Sequence, residues 1–193
     1  IPRPEFLITD ELRERSKQEA RLAGSLDHPN LVPVYEGGEI GPVCYIALAY
    51  CPGPTLAEWL EQRQELPPPH DAARFVTELA SGVQSAHSRG VLHRDLKPGN
   101  LLVSQRDGAR QIKVADFGLV RTQEMAAQIT QAGQTVGTPN YMAPEQILQL
   151  RHRFGPPTDL YAAAALLWTL ASGAPPFAHY RDNLTALLKA QVG

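Results

Sequence analysis

Cysteine is almost missing from this chain: Cys44 and Cys51 are the two among 193 residues, too far apart for a Cys-x-x-Cys pair and without histidines at metal-ligand spacing. Both thiols are therefore expected to be reduced and structural. A charge excess is missing as well, because 18 basic against 20 acidic residues leave a formal net charge of -2. That balance gives no general attraction to nucleic acid or to an anionic membrane, so any anion binding has to be local. Long hydrophobic runs are missing too. The most apolar stretch, residues 161–171, has about half the length of a bilayer span, and no basic leader precedes an apolar segment. Neither nucleic-acid binding nor membrane contact by this segment is expected. The chain opens on Ile1 and stops at Gly193 within a helical pattern, which reads as an excerpt of something longer.

What is present suits a globular protein: 43% hydrophobic and 20% charged residues, enough for one or two cores. Thr9 can cap a first helix with Asp10 and Glu11 in its opening turn, and Leu12, Ser16, Glu19, Ala23 and Leu26 share one face. His28-Pro29-Asn30 ends it. Two strand-like runs, 31–36 and 43–50, flank the loop 37–42 and predict a hairpin. Cys51-Pro52-Gly53-Pro54 breaks the pattern before a short helix over 56–63, and a domain junction is placed within 49–54. From Asp71, the spacing of Ala72, Phe75, Val76, Leu79, Val83 and Ala86 predicts a core helix capped at Gly90. Short strands at 101–103 and 111–115 meet at Asp107-Gly108, a strong turn signal. Residues 158–172 are apolar on nearly every side and predict a buried helix. The order is α+β, with a small mixed part over 1–50 and a mainly helical part over 51–193.

Chemistry concentrates in His93-Arg94-Asp95-Leu96-Lys97-Pro98-Gly99-Asn100, where polar side chains of complementary kinds sit between two apolar runs. Phosphoryl transfer needs a carboxylate to orient an attacking hydroxyl, a cation near the migrating phosphate, and oxygen ligands for magnesium. Asp95, Lys97 and Asn100 offer one of each. Antiparallel pairing of the two short strands would return Asp116, of Asp116-Phe117-Gly118, close to Asn100, so that two oxygen donors converge. Singly, each motif has a plain alternative: a turn for the first, a strand end for the second.

Taken together, in this order and spacing, the motifs resemble the eukaryotic-type protein kinases, and in style the bacterial Ser/Thr kinases. The match to H-R-D-L-x-x-x-N is complete, and Gly137-Thr138-Pro139 through Ala143-Pro144-Glu145 looks like the end of an activation segment. The resemblance implies a bilobal kinase-like fold with a truncated small lobe of one helix plus two to three strands and an incomplete, mainly helical large lobe. It implies Asp95 as the catalytic carboxylate, Lys97 as the phosphoryl-stabilising cation, and Asn100 and Asp116 as ligands of Mg2+ or Mn2+. His93 would buttress the loop, and Phe117 and Gly118 would set the geometry around Asp116. Glu19 would pair with a strand lysine that this chain lacks. Leu48 and Leu102 would wall the adenine pocket of ATP, with backbone contacts from Ala49 and Cys51. Lys97 with Thr138 is similar to the Ser/Thr-specific branch. Arg94 would pair with a phosphate on Thr130 or Thr135, Asp159 would bind the catalytic-loop backbone, and Glu145 would seek an arginine beyond this chain.

A protein substrate with a Ser/Thr acceptor follows, as do a cytoplasmic location, with a tether to the membrane lying outside this chain, and a dimer for activation-loop autophosphorylation. Without the strand lysine and a Gly-rich phosphate loop, the segment alone is expected to bind ATP poorly and to be inactive. The competing reading is a pseudokinase or scaffold that keeps the fold without the transfer; a small-molecule kinase is the third.

Overall fold

The computed structural model describes residues 22–40, 43–63, 65–106, 108–117, 139–180 and 183–193. The expected sites Glu19, Gly118, Thr130, Thr135 and Thr138 lie outside these residues. After a helical turn at residues 22–24, strands β1 (Val34–Ile40) and β2 (Val43–Leu48) pair antiparallel. The first strand starts later than its apolar residues suggest, and it runs through Gly37 and Gly38 rather than stopping there. The reason is local: the ring of Tyr45 lies against Gly38, where an added Cβ would meet the Tyr45 hydroxyl at 2.6 Å. Leu31, expected in that strand, instead bridges Val114, and the Val32 N–H donates to the Val114 carbonyl at 2.9 Å.

Helix α1 (Leu56–Glu61) begins at Thr55, whose hydroxyl accepts from the Glu58 N–H while the Glu58 carboxylate accepts from the Thr55 N–H. Helix α2 (Pro69–His87) is the central beam of the larger part. It starts on a proline because the first helical position needs no N–H donor. Its buried face of Phe75, Leu79, Val83 and Ala86 meets the second hairpin, β3 (Leu101–Arg106) with β4 (Ala109–Val114), in register Leu101 to Val114. The loop before α1 crosses β3 closely: Gly53 has φ 131, and the Val103 N–H donates to the Pro54 carbonyl at 2.9 Å.

Helix α3 (Pro144–Ile147) precedes helix α4 (Pro156–Ser172), which packs on α2 through Ala162, Ala165, Leu166 and Leu170; helix α5 (Leu184–Val192) follows. The expectation that α4 is buried all round needs correction. Leu160, Leu167 and Trp168 are 58%, 43% and 59% exposed, because among the described residues the packing elements cover one side of the helix. The mixed helix-and-strand architecture with two small sheets agrees with the α+β expectation.

Candidate active site

The loop from His93 to Asn100 is held by its neighbours on all sides, and its own polar groups close on one another. Asp95 lies where α2 has ended and before the short 3-10 turn Pro98–Asn100 that leads into β3. Asn100 donates from Nδ2 to the Asp95 carbonyl at 2.7 Å and to Asp95 Oδ2 at 2.9 Å. Lys97 Nζ stands 3.0 Å from Asp95 Oδ2 and 3.2 Å from Oδ1. Asp95, Lys97 and Asn100 are thus one cluster. Because the Asn100 side-chain nitrogen points to Asp95, the side-chain oxygen Oδ1 is the Asn100 atom able to ligate a cation.

Asp116 reaches the same place through the hairpin. Leu101 pairs with Val114, and the Ala115 N–H donates to the Asn100 carbonyl at 2.9 Å, so the strand exit at Asp116 lies beside the turn that ends in Asn100. Asp116 has φ 57, a left-handed backbone that asparagine and aspartate tolerate better than most residues. Among the described residues no group of three or more His, Cys, Asp or Glu gathers to hold a metal ion. One carboxylate and one amide, completed by phosphate and water, is nonetheless the donor set magnesium accepts beside a nucleotide.

His93 sits beneath this cluster, fully buried. Its Nε2–H donates to the Ala115 carbonyl at 2.8 Å, while Nδ1 accepts the Asp95 N–H at 3.2 Å, an arrangement that requires the neutral ring with the proton on Nε2. Burial lowers the pKa of His93, against the opposing pull of the Ala115 carbonyl and of Asp159, Asp95 and Asp116. Phe117 packs on the imidazole with ring centroids 4.8 Å apart.

The loop backbone is clamped from α4. Asp159, 1% exposed, accepts the His93 N–H at 2.8 Å on Oδ2 and the Arg94 N–H at 2.7 Å on Oδ1. His87, at the last turn of α2, meets the same Oδ2 from Nε2 at 2.7 Å. Arg94 between these contacts has φ 64, a conformation that costs an ordinary residue on the order of 1–3 kcal/mol and persists where the surroundings over-determine it.

The remaining expected residues fall in two groups. Leu48 lines a cavity with Val34, Val114, Asp116 and Phe117, directly beside the polar cluster. Leu102 is half-buried and bridges Thr55, and Cys51 carries a free thiol. The Ala49 N–H donates to the Pro33 carbonyl at 2.8 Å, which leaves the Ala49 carbonyl as the group able to meet a ligand. Glu145 stands apart from the cluster, where its Oε1 accepts the Thr158 hydroxyl at 2.7 Å.

Two residues of the site escaped the sequence reading. His87 lies one helical turn past Val83 on the core face of α2, and Gln146 stands three residues after Ala143, the position from which a Gln side chain caps a helix. Those spacings were the available signals.

A family model for the protein kinase domain matches residues 7–191. Similar curated proteins include the serine/threonine-protein kinase PknH of Mycobacterium bovis, 37% identical over 90% of this chain, and ATG1a of Arabidopsis thaliana, 34% identical over 89%. The chain spans 28% and 26% of those relatives' lengths. Among solved structures, a double mutant of the Mycobacterium tuberculosis PknI kinase domain matches 98% of this chain and 72% of its own, with a TM-score of 0.73 and 28% identity.

Proposed function

Since this chain belongs to the protein kinase family, we propose that the complete protein carrying it transfers the γ-phosphoryl group of ATP to serine or threonine hydroxyls of a protein substrate. The observation that carries the reading is the joined cluster of Asp95, Lys97 and Asn100 beside the strand exit at Asp116. The acceptor hydroxyl gives its proton to the Asp95 carboxylate as its oxygen bonds to the γ-phosphorus. The bond from that phosphorus to the bridging oxygen breaks, and ADP leaves with the electron pair. Lys97, already drawn to Asp95, brings positive charge to the migrating group. Asn100 through its side-chain Oδ1 and Asp116 through its carboxylate would hold magnesium, which when bound would neutralise charge on the phosphate oxygens.

Leu48, Leu102 and the carbonyl of Ala49 form the adenine side of this reading, with Cys51 contributing backbone. Neutral His93 cannot serve as a proton donor to substrate from beneath the loop, since both ring nitrogens are engaged. Lys97 together with Thr138 favours serine and threonine over tyrosine. Arg94 is the proposed receiver of a phosphate on Thr130 or Thr135, through charge-assisted hydrogen bonds.

The decisive variant is Asp95→Asn in the complete protein. Phosphoryl transfer to a Ser/Thr peptide is expected to fall by roughly a thousandfold or more, while nucleotide affinity, measured by titration calorimetry, stays within about twofold. Equal turnover of variant and parent would remove Asp95 from its role; a parent that binds nucleotide and transfers nothing would favour a scaffold.

A further inference from the structure

The carbonyl of Arg94 is gripped by a side chain from a distant part of the chain. Gln146, in α3 and 5% exposed, donates from Nε2 to the Arg94 carbonyl at 2.7 Å. Its Oε1 accepts the Ala143 N–H at 3.0 Å. A carbonyl can only accept and an N–H can only donate, so these two partners fix the orientation of the amide. On the other side of the same residue, the Arg94 N–H is held by Asp159 at 2.7 Å.

A left-handed residue, φ 64, is therefore tied at both of its peptide groups. The next residue is Asp95. Rotating the peptide between Arg94 and Asp95 would turn the Asp95 backbone away from His93 Nδ1 and shift the carboxylate that Lys97 and Asn100 hold. Asp159 and Asn100 restrain the loop at its two ends, while Gln146 is the side chain that fixes the carbonyl at its most strained point.

We infer that Gln146 is a positioning residue for Asp95, through which α3, the helix following residues 118–138, sets the conformation of the catalytic loop. This rests on the phosphoryl-transfer reading above. The plain alternative is that Gln146 only caps α3 through Ala143. The two roles use different atoms of one side chain, and Q146E separates them: its carboxylate keeps the acceptor for the Ala143 N–H and loses the donor to Arg94.

In the complete protein, Q146E is expected to lower kcat for peptide phosphorylation about ten- to a hundredfold near about pH 8.5, with KM for ATP within about twofold. The deficit should narrow as pH falls toward about 6, because a buried carboxyl that takes up a proton regains an O–H to donate to Arg94. A role confined to capping would show no such recovery. Q146M, which can make neither bond, should carry a similar kcat loss at every pH.

Amide hydrogen exchange across residues 93–97, compared with the parent at the same pH, supplies a readout that needs no activity: protection should drop in Q146E at the higher pH. An inactive parent would sink the kinase reading, yet the exchange comparison would still decide the role of Gln146. Parent-like kcat in Q146M, a deficit in Q146E that ignores pH, or unchanged exchange at 93–97 would each overturn the proposal.

Discussion

Burial sets the chemistry of His93, whose imidazole is enclosed and whose pKa is lowered by desolvation despite the nearby carbonyl and carboxylates. In the unfolded chain the same ring titrates near about 6.5. A group whose folded pKa is depressed contributes stability that is fully present above its unfolded pKa and is lost as pH falls through the folded value. The share of stability owed to His93 is thus complete at neutral pH and declines as the solution becomes acidic below about 6.5. In an NMR titration the ring carbon protons of His93 should report a midpoint below that of the exposed histidines. A midpoint at the ordinary value would contradict the lowering that burial imposes on this ring.

The same scale explains what could be read from the sequence and what could not. Asp95, Lys97 and Asn100 fall within one octet, and Asp116 is one hairpin away, so short-range spacing was enough to bring them together. His87 and Gln146 find their partners 72 and 52 residues along the chain, and nothing local announces those contacts. A histidine at a helix end and a glutamine at a capping position each have an adequate local explanation, which hides the second bond.

At the scale of elements, hydrophobic periodicity located α2, a run apolar on nearly every side located α4, and a turn dipeptide located the β3–β4 hairpin, because each signal lies within its own segment. The first hairpin was harder. Gly37-Gly38 reads as a loop, but glycine in a strand also admits a close neighbour, here the Tyr45 ring, and only the cross-strand partner decides between the two. Gly53 is the complementary case. Its φ of 131 is a conformation that favours glycine, and an added Cβ would stand 2.1 Å from the Val103 carbonyl oxygen. Gly53→Ala must therefore displace either the loop ahead of α1 or β3 itself. A loss of about 2–4 kcal/mol in denaturant unfolding of the complete protein is expected. A change below about 0.5 kcal/mol would mean that the loop can leave β3 freely.

For the molecule as a whole, the asymmetry of α4 has the largest consequence. Ala162, Ala165, Leu166 and Leu170 bury one side against the core, while Leu160, Leu167 and Trp168 follow at helical spacing on the side that stays exposed. A sequence apolar all round is a helix meant to be covered all round, and a contiguous exposed apolar stripe favours association. The sequence alone could announce the apolar character of both faces but not which one finds a partner among the described residues. The 193-residue chain by itself should accordingly self-associate at about 10 μM in sedimentation velocity, and replacing Leu160 and Trp168 with glutamate should shift the distribution toward monomer without loss of helical circular dichroism. Because both positions face away from the α2 contact, the substitutions test the exposed stripe and leave the core intact. A chain that sediments as a monomer both with and without the glutamates would show that water tolerates this face, and that the small sheet's edge or some other surface governs its association.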